Sequence, residues 1–514
     1  MNQNLFAALR AAFAANLDEV AIETDNDLHY SWRDLERATA MIANLLVSLK
    51  LPQGARIAVQ VEKSVEALML YLATLRAGYV FLPLNPAYQS AELEYFIGNA
   101  EPSVLVCGSK HVDWVSKVAA RHGVSHLFTL NDNRSGSLLE SAARCSDEHQ
   151  VVASKADDLA VILYTSGTTG RSKGAMLSHG NMLSNARVLK EYWGWQPGDV
   201  LMHVLPIFHI HGLFVAVHGA LLNGSKMIWH AKFIPQRVLQ KMPEATVFMG
   251  VPTLYVRLLA EEQLNHDVTR NVRLFISGSA PLLIDSFRAW QTRTGHTILE
   301  RYGMSETVMI ASNPCGPDPR YGNCSERRGA TVGFALPGVT LRITDAAGAA
   351  VPTGENGGIE VKGPNVFAGY WRMPEQTRQE FTADGFFKTG DVGSVDQDGY
   401  LTIVGRSKDL IISGGLNVYP AEIEGVINSL EGVEESAVVG IADADFGEVG
   451  VALVIAKPGA RLDCADILRT LKSTLANFKV PKQCHVVTEL PRNAMGKVQK
   501  NLLRAQYGQA KSAA

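Results

Sequence analysis

The sequence has few of the features that mark secreted proteins and zinc proteins. Only six of its 514 residues are cysteine, and they lie far apart, without the spacing of a disulfide framework or a metal site. We therefore expect reduced thiols and a cytoplasmic location.

Long hydrophobic runs are also missing. The most apolar stretch, residues 67–84, is interrupted by Arg76, Gly78 and Pro83, which predicts a buried helix and strand instead of a membrane span. The first residues lack the basic segment and apolar core of a secretory signal. We expect no membrane attachment.

Neither sign of charge is in excess. The chain has 48 Lys and Arg against 51 Asp and Glu, a net charge of −3, and no block of like charge. This balance argues against a nucleic-acid partner. With 46% hydrophobic and 19% charged residues, the composition is that of an ordinary globular enzyme.

The pattern of predicted secondary structure changes twice along the chain. Strand and helix patterns alternate over roughly the first two thirds, which predicts a parallel sheet covered by helices. Beyond residue 338, short strands separated by turns such as Asn356-Gly357 and Asp398-Gly399 predict antiparallel sheet and a small barrel. After residue 406, about a hundred residues have a β/α pattern of their own and are long enough for a separate domain.

Residues 164–174 have the composition of a phosphate-binding loop. They follow the apolar run 159–163 and combine glycines and hydroxyl residues with one lysine, Lys173. Backbone N–H groups, hydroxyls and a movable cation suit a polyphosphate. The stretch is not a Walker A motif, because Ser172 precedes and Gly174 follows the lysine. A flexible surface loop has a similar composition, so this stretch alone leaves both interpretations open.

Further polar clusters follow predicted strands or lie near the C-terminus. Segments 277–281 and 300–307 would lie at the carboxyl edge of the sheet, where ligands bind in α/β folds. Tyr302 could stack on a base, and Glu306 could hold Mg²⁺. Asp391 could accept hydrogen bonds from both ribose hydroxyls. Taken singly, such residues are more often structural.

Together these stretches resemble one known superfamily. Their order and spacing are similar to the core motifs of the adenylate-forming enzymes: acyl-CoA synthetases, carrier-protein adenylation domains and luciferases. The matching segments are 164–174, 300–307, 389–391, 405–415 and 491–497. The resemblance implies an α/β fold with a large N-terminal domain, residues 1–406, made of two α/β subdomains plus a small β-barrel-like subdomain. A small mobile α+β C-terminal domain, residues 407–514, would follow.

The resemblance also implies a reaction in two steps. A carboxylate is joined to the α-phosphate of ATP with release of pyrophosphate, and the acyl group then passes to the thiol of CoA. ATP and Mg²⁺ would be the cofactors, with CoA as co-substrate. The implied ATP-binding residues are Thr165, Ser166, Gly167, Thr168, Thr169, Gly170, Lys173, Gly278, Ala280, Pro281, Glu300, Arg301, Tyr302, Gly303, Met304, Ser305, Asp391, Arg406 and Lys497. The implied metal ligands are Thr165 and Glu306, and the implied catalytic residues are Lys497, Lys173, Glu306 and His209.

Members of this superfamily separate the two steps by rotating the C-terminal domain. By position, the hinge would be Lys408. Rotation would bring Ser413, Gly414 and Gly415 to the channel of the pantetheine arm, where glycines allow close passage. His209 matches a gate at the mouth of that channel. A buried core histidine is the alternative interpretation.

One arginine points to the class of acid. Arg257 lies in an otherwise apolar helix predicted to begin at Pro252. A guanidinium there needs an anion, and a second carboxylate could pair with it in bidentate fashion, so a dicarboxylic acid fits better than a fatty acid. Alternatively, Arg257 reaches solvent or pairs with Glu261 or Glu262.

At these positions the chain resembles the malonyl-CoA synthetases. In that family this arginine and the second serine of the Ser-Gly-Ser loop, here Arg257 and Ser279, hold the distal carboxylate, and Met309 would cap a short pocket. The implied substrates are malonate, ATP and CoA, and the products malonyl-CoA, AMP and diphosphate. Monomer and homodimer are both open. Three departures are Ile210 in place of a threonine, Ser172 in place of a proline, and a long loop at 314–329.

Other functions remain open at this point. The first is a CoA ligase for methylmalonate or another short-chain carboxylic acid, and the second is an adenylation enzyme that loads a separate carrier protein. A nucleotide-binding regulatory protein on an inactive fold is disfavoured because every charged position that the chemistry needs is filled. Segment 491–497 also resembles the acetylation site of bacterial acyl-CoA synthetases, which implies a lysine acetyltransferase and deacetylase acting on Lys497.

Overall fold

The computed structural model describes residues 2–165, 172–413, 416–443, 445–493 and 497–508. The chain forms two compact units. Unit 1 contains residues 1–282, 286–340 and 361–387, and unit 2 contains residues 283–285, 341–360 and 388–514. The domain boundary expected after residue 406 stays a prediction.

A six-stranded sheet of unit 1 confirms the parallel arrangement predicted from the alternating pattern. Its strands, in spatial order, are His126–Thr129, Val104–Cys107, Arg56–Gln60, Val80–Pro83, Leu159–Thr165 and Lys173–Ser178. Neighbours run parallel, except that Lys173–Ser178 runs antiparallel to Leu159–Thr165. The loop predicted at 164–174 is therefore partly strand, and Lys173 begins the returning strand.

The second sheet of unit 1 has nine strands. In spatial order they are Phe334–Ala335, Ala311–Ser312, Leu299–Tyr302, Leu274–Ser277, Val247–Gly250, Val200–His203, Lys226–Trp229, Val20–Thr24 and His29–Ser31. The six strands from Leu299–Tyr302 to Val20–Thr24 run parallel, with antiparallel pairs at both edges. The carboxyl ends of these parallel strands therefore lie along one edge of the sheet.

The helices of unit 1 connect and cover these strands. They span Leu5–Arg10, Trp32–Ser48, Val65–Arg76, Ser90–Ala100, Val112–Arg121, Ser137–Ala142, His179–Tyr192, His218–Asn223, Pro235–Lys241, Pro252–Leu259, His266–Thr269, Ile284–Thr294 and Pro374–Glu380. Helix Val65–Arg76, the helix predicted in the apolar stretch 67–84, starts where the Ser64 side chain accepts a hydrogen bond from the Ala67 N–H. All its residues are buried, which explains why it is apolar on every side. Among the helices in the described ranges, none is long and apolar enough to cross a membrane.

A π-helix at His211–Val217 was not predicted from the sequence. It precedes helix His218–Asn223, and the His203 side chain is hydrogen-bonded to the Gly212 carbonyl through Nε2, at 3.0 Å. A Cβ atom on Gly212 would lie 2.0 Å from the carbonyl oxygen of Pro206, so only glycine fits there. π-Helical turns are rare and occur often at functional sites.

In its described residues, unit 2 has two sheets and three helices. The four-stranded sheet orders Thr340–Thr344, Gly357–Lys362, Phe387–Val395 and Leu401–Arg406, and its last pair is antiparallel as predicted. The five-stranded sheet orders Leu416–Val418, Ile411–Ser413, Gly447–Ala456 and Val433–Asp443, and Gln483–Val486 pairs in parallel with Gly447–Ala456. The helices are Pro420–Asn428, Cys464–Thr474 and Lys500–Gly508. Ile423, Ile427 and Leu471 from the first two helices form one core with Val438 and Ala452.

Candidate functional site

Three neighbouring parallel strands end at one edge of the nine-stranded sheet. In register, Gly250 lies beside Ser277, and Ser277 lies beside Glu300. The predicted segments 277–281 and 300–307 begin at the ends of the second and third of these strands and continue directly beyond them. The structure thus brings two of the predicted binding segments together at the carboxyl ends of parallel strands, where ligands bind in α/β folds.

Arg301 is a buried cation beside the predicted nucleotide loop. A Cβ atom on Gly278 would lie 2.6 Å from its Cζ atom, so the guanidinium packs directly against the glycine backbone. Its Nε and Nη2 atoms have no hydrogen-bond partner within the described part of the chain. Burial lowers the pKa of Arg301 to about 9, which leaves the group charged at neutral pH. A buried, incompletely paired guanidinium is a binding group for an anion or a polar ligand.

Glu300, beside Arg301, carries a carboxyl group that is protonated at neutral pH. Its Oε1 accepts a hydrogen bond from the Leu282 N–H at 3.0 Å, and its Oε2 has no partner among the residues described. Burial raises the pKa of Glu300 to about 8. A neutral carboxyl group can donate as well as accept, so Glu300 suits a ligand with both kinds of group, such as adenine.

Ser279 occupies a strained position in the same loop. Its φ angle is +75°, in the left-handed region that residues other than glycine rarely adopt. Its Oγ atom is hydrogen-bonded to Nδ1 of His211 at 3.3 Å. His211 is 2% exposed, and burial together with the positive charge of Arg301 holds its pKa well below the usual range. His211 is therefore neutral, and sequence analysis did not identify it.

Met309 and Ile210 are apolar side chains next to predicted or observed site residues. Met309 is fully buried, and a Cβ atom on Gly303 would lie 2.6 Å from its Cε atom. Val308, just before it, has a φ angle of +56°, which is unusual for a β-branched residue. Ile210 is buried and adjoins His211 in the chain. Met309 thus packs against the segment predicted to bind ATP.

Tyr370 links two predicted catalytic residues. Its hydroxyl donates a hydrogen bond to Oε1 of Glu306 at 2.9 Å, and the Lys173 Nζ atom lies 4.7 Å from the centre of its ring. Lys173 also donates to Oε1 of Glu380 at 2.9 Å. Thr165 lies beside Lys173 in strand register. Lys173, Glu306, Tyr370 and Glu380 therefore form one cluster, of which sequence analysis assigned roles to Lys173 and Glu306 only.

The donor atoms at this cluster fit Mg²⁺. Glu306 supplies a buried carboxylate and Thr165 a hydroxyl. No group of three or more His, Cys, Asp or Glu side chains in the described ranges could hold a metal ion. Mg²⁺ is commonly bound by one or two carboxylates together with substrate phosphates and water, so this sparse donor set suits a metal that arrives with a nucleotide.

Arg257 lies in helix Pro252–Leu259, which follows directly from one of the three strands. Its side chain is exposed, and its guanidinium lies 6.0 Å from the ring centre of Phe233. Neither Glu261 nor Glu262, nor any other carboxylate among the described residues, forms an ion pair with it. Because Arg257 is exposed, its charge has no burial cost that a ligand must offset, but the cation is available for a ligand.

His209 is the predicted gate residue. It is half-buried, and its ring centre lies 4.4 Å from that of Phe208. Its segment follows strand Val200–His203 and precedes the π-helix. Its role as a gate stays a prediction.

The remaining predicted residues lie in unit 2 and are described within it. Asp391 is buried, and Arg406 Nε lies 2.8 Å from its Oδ1 on the adjacent strand. Lys408 is exposed in the turn Ser407–Asp409. Ser413 is buried at the end of strand Ile411–Ser413. Lys497 is exposed, and its backbone N–H donates to Asn493 Oδ1 at 3.0 Å.

Some predicted residues lie outside the described ranges. In the phosphate loop these are Ser166, Gly167, Thr168, Thr169 and Gly170, and in the channel segment they are Gly414 and Gly415. Their roles stay predictions.

The long loop at 314–329 is fixed by its own polar contacts. Arg320 pairs with Asp318, with Nη2 and Oδ2 2.6 Å apart, and Tyr192 donates to the same carboxylate at 3.1 Å. Arg327 donates to the Thr297 carbonyl at 2.9 Å, and Tyr321 stacks on Phe334 with ring centres 4.0 Å apart. These contacts give the loop a structural role beside strand Ala311–Ser312.

Comparison with known proteins agrees with this arrangement. The AMP-binding enzyme family matches residues 9–371, and the AMP-binding enzyme C-terminal domain matches residues 422–497. Malonate–CoA ligase of Arabidopsis thaliana is 33% identical, over 98% of this chain and 89% of the relative. Feruloyl-CoA synthase of an Amycolatopsis species is 34% identical, over 93% of this chain and 94% of the relative.

A solved structure extends the comparison to three dimensions. The crystal structure of ATP-bound MatB from Rhodopseudomonas palustris is 52% identical, covers 99% of both chains and has a TM-score of 0.95. With both family regions matched and the strand-end segments in place, the chain belongs to the AMP-binding enzyme family.

Proposed function

We propose that this protein is an AMP-forming malonate–CoA ligase. It would convert malonate, ATP and CoA into malonyl-CoA, AMP and diphosphate through a malonyl-AMP intermediate. The malonate–CoA ligases among its relatives support this assignment. Relatives in the same family act on other acids, as the name feruloyl-CoA synthase states, so the choice of acid depends on the pocket residues.

The choice of a dicarboxylic acid rests on one observation, namely that the guanidinium of Arg257 has no carboxylate partner among the described residues. No carboxylate in the described part of the chain neutralises it, and its helix begins at the strand end that adjoins Ser277 in register. A second carboxylate on the substrate would supply the missing anion in bidentate form. Ser279 would donate a further hydrogen bond, and the buried guanidinium of Arg301 adds positive potential beside it.

The proposed ATP-binding roles are also based on the positions of side chains in the structure. Lys173 and Thr165 would contact the β- and γ-phosphates, and Glu306 with Thr165 would hold Mg²⁺. Glu300 and Tyr302 would frame adenine. Gly278, Ala280, Pro281 and residues 303–305 would complete that frame. These assignments are supported by the shared strand edge and by the Lys173, Glu306, Tyr370 and Glu380 cluster.

In unit 2, a carboxylate and a lysine have proposed roles. Asp391, oriented by its ion pair with Arg406, would accept hydrogen bonds from the ribose hydroxyls. Lys497 would neutralise charge between the substrate carboxylate and the α-phosphate in the first step. Lys408 would be the hinge for rotation of the C-terminal domain between the two steps, after which Ser413 and the glycines that follow it would line the pantetheine channel.

Lys497 is also proposed as a regulatory acetylation site. Its side chain is exposed, as a modifying enzyme requires. Acetylation would remove the charge that the first step needs. Protein carrying acetyl-lysine at position 497 should lose adenylation activity and regain it after treatment with a deacetylase. Full activity of the acetylated protein would refute this role.

Location and assembly complete the proposal. We propose a cytoplasmic enzyme, because the chain has only six cysteines and they lie far apart in the sequence, without disulfide spacing. Its assembly is proposed as monomer or homodimer, which sedimentation equilibrium of the purified protein would distinguish.

A panel of acids tests the function. Pyrophosphate release and acyl-CoA formation should be measured with malonate, methylmalonate, succinate, acetate and octanoate. We expect malonate to give the highest kcat/KM and octanoate no detectable product. Preference for acetate or octanoate would overturn the choice of acid, and pyrophosphate release without acyl-CoA would point to a separate carrier protein as the acceptor.

A further inference from the structure

We propose that His211 orients the hydroxyl of Ser279 toward the distal carboxylate and thereby sets the preference for a dicarboxylic acid. His211 is a positioning residue in this proposal, because it acts on the substrate through Ser279. The inference rests on the proposed malonate–CoA ligase function. It concerns a residue that neither the motifs nor the spacing of the sequence identified.

The contact between the two side chains is specific. Ser279 Oγ lies 3.3 Å from His211 Nδ1, and the residues are 68 positions apart in the chain. Ser279 holds this position with a φ angle of +75°. Such a conformation persists where surrounding contacts determine it, and it occurs preferentially at ligand sites. The backbone conformation of the loop thus holds the Ser279 hydroxyl within hydrogen-bonding distance of the His211 imidazole.

The chemistry of a carboxylate fixes the direction of this hydrogen bond. An ionised carboxylate only accepts hydrogen bonds, so Ser279 must use its single O–H to donate to the substrate. The 3.3 Å contact must then be donated by Nδ1–H of His211. This tautomer leaves Nε2 with a lone pair, and Nε2 has no hydrogen-bond partner in the described ranges. The opposite tautomer would instead bury an unpaired N–H, which is rarer in proteins.

The surroundings keep the imidazole neutral, as this arrangement requires. His211 is 2% exposed. The positive charges of Arg301, and of His203 and His209 when these are protonated, oppose a further charge on the ring. A neutral ring has one N–H only. In the proposed hydrogen-bond relay, that N–H, on Nδ1, donates to Ser279 Oγ, and the Ser279 O–H donates to the substrate carboxylate.

The test compares malonate with propionate, which has the same number of carbons but lacks the second carboxylate. The ratio of the two kcat/KM values reports on the distal carboxylate alone. His211→Phe should lower this ratio by about 10- to 100-fold, the effect of losing one hydrogen bond to a charged group. His211→Asn keeps an N–H near the Nδ1 position and should retain the ratio within about threefold.

A double-mutant cycle checks that the two residues act together. Ser279→Ala alone should lower the ratio about as much as His211→Phe. In the Ser279→Ala background, His211→Phe should have no further effect, since the relay is already broken. Full additivity of the two changes would overturn the proposal.

His218 provides the matched control. It is a fully buried histidine seven positions along the same chain segment, and its Nε2 is hydrogen-bonded to the Tyr71 hydroxyl at 2.9 Å. His218→Phe should lower the melting temperature and leave the ratio unchanged. A purely structural role for His211 would show the same behaviour.

Two outcomes separate this proposal from the function on which it rests. If the wild-type protein does not prefer malonate to propionate, the proposed function itself fails. If the wild type prefers malonate and folded His211→Phe protein keeps that preference, only the role of His211 fails.

Discussion

The Nζ atom of Lys173 lies 2.9 Å from the Oε1 atom of Glu380, so the lysine predicted to bind phosphate is held by a carboxylate in the structure. Gln376 donates to the same Oε1 atom at 2.9 Å. The pair fixes the position of the lysine. It also competes with any phosphate for the same charge.

Removing that competition should strengthen ATP binding. We expect Glu380→Gln to lower KM for ATP by about two- to fivefold, in line with the modest free energy of a partly exposed ion pair. Initial rates at varied ATP measure the change. Glu375→Gln, on the same helix but in a surface pair with Arg378, is the matched control and should leave KM unaltered. A higher KM in Glu380→Gln would show that the pair orients Lys173 for ATP.

Tyr370 should control the affinity for Mg²⁺. Tyr370→Phe removes the hydrogen bond to Glu306 but keeps the ring that contacts Lys173. Loss of a group that orients a metal ligand typically lowers metal affinity by about tenfold or more. Titration of activity with Mg²⁺ at saturating ATP would measure this. Tyr321→Phe, in the loop at 314–329, serves as the control, and equal Mg²⁺ dependence in both variants would contradict the prediction.

Lys497 should matter for the first step only. Lys497→Ala should slow malonate-dependent ATP–pyrophosphate exchange by a factor on the order of 10²–10³. CoA-dependent consumption of supplied malonyl-AMP should change little. Lys472→Ala, a change at another exposed lysine of unit 2, should affect neither rate. Equal losses in both half-reactions would contradict a role confined to adenylation.

Glu300 should make stability depend on pH. Its pKa in the folded protein, about 8, lies above its ordinary value of 4.5, so the folded state binds the proton more tightly than the unfolded state. Its stabilising contribution is therefore complete below pH 4.5 and is lost as pH rises to 8. Compared with Glu300→Gln, the wild-type melting temperature should fall across this window. If the melting temperatures of the two proteins changed with pH in the same way, Glu300 would be ionised in the folded protein across this pH range.

Local sequence signals predicted the regular elements well. The apolar stretch at residues 67–84 was correctly predicted to hold a buried helix and a strand, which are Val65–Arg76 and Val80–Pro83, because each is a buried apolar run. Strand Lys173–Ser178 was missed. It begins with a lysine and Gly174, residues that indicate a loop, and it is paired along Leu159–Thr165 and bridged to Tyr370 from a distant segment.

The contacts of the site depended on tertiary structure. The pairs Ser279 with His211, Tyr370 with Glu306 and Lys173 with Glu380 are 68, 64 and 207 residues apart in the chain. No periodicity or spacing connects such positions. The resemblance to a family could assign roles to single residues, but the neighbours that orient them emerge only from the fold.

The exposed guanidinium of Arg257 determines the choice of acid in the proposed function. We expect Arg257→Ala to lower kcat/KM for malonate by at least about thirtyfold, the effect of removing one partner of a hydrogen-bonded charge pair. The value for acetate should stay unchanged. Arg270→Ala, at another exposed arginine of unit 1, should alter neither value.

The measurement to make is therefore the malonate-to-acetate ratio of kcat/KM for the wild type and Arg257→Ala. If Arg257 holds the distal carboxylate, the ratio is high in the wild type and collapses in Arg257→Ala. The same ratio in both proteins would show that Arg257 does not bind the distal carboxylate.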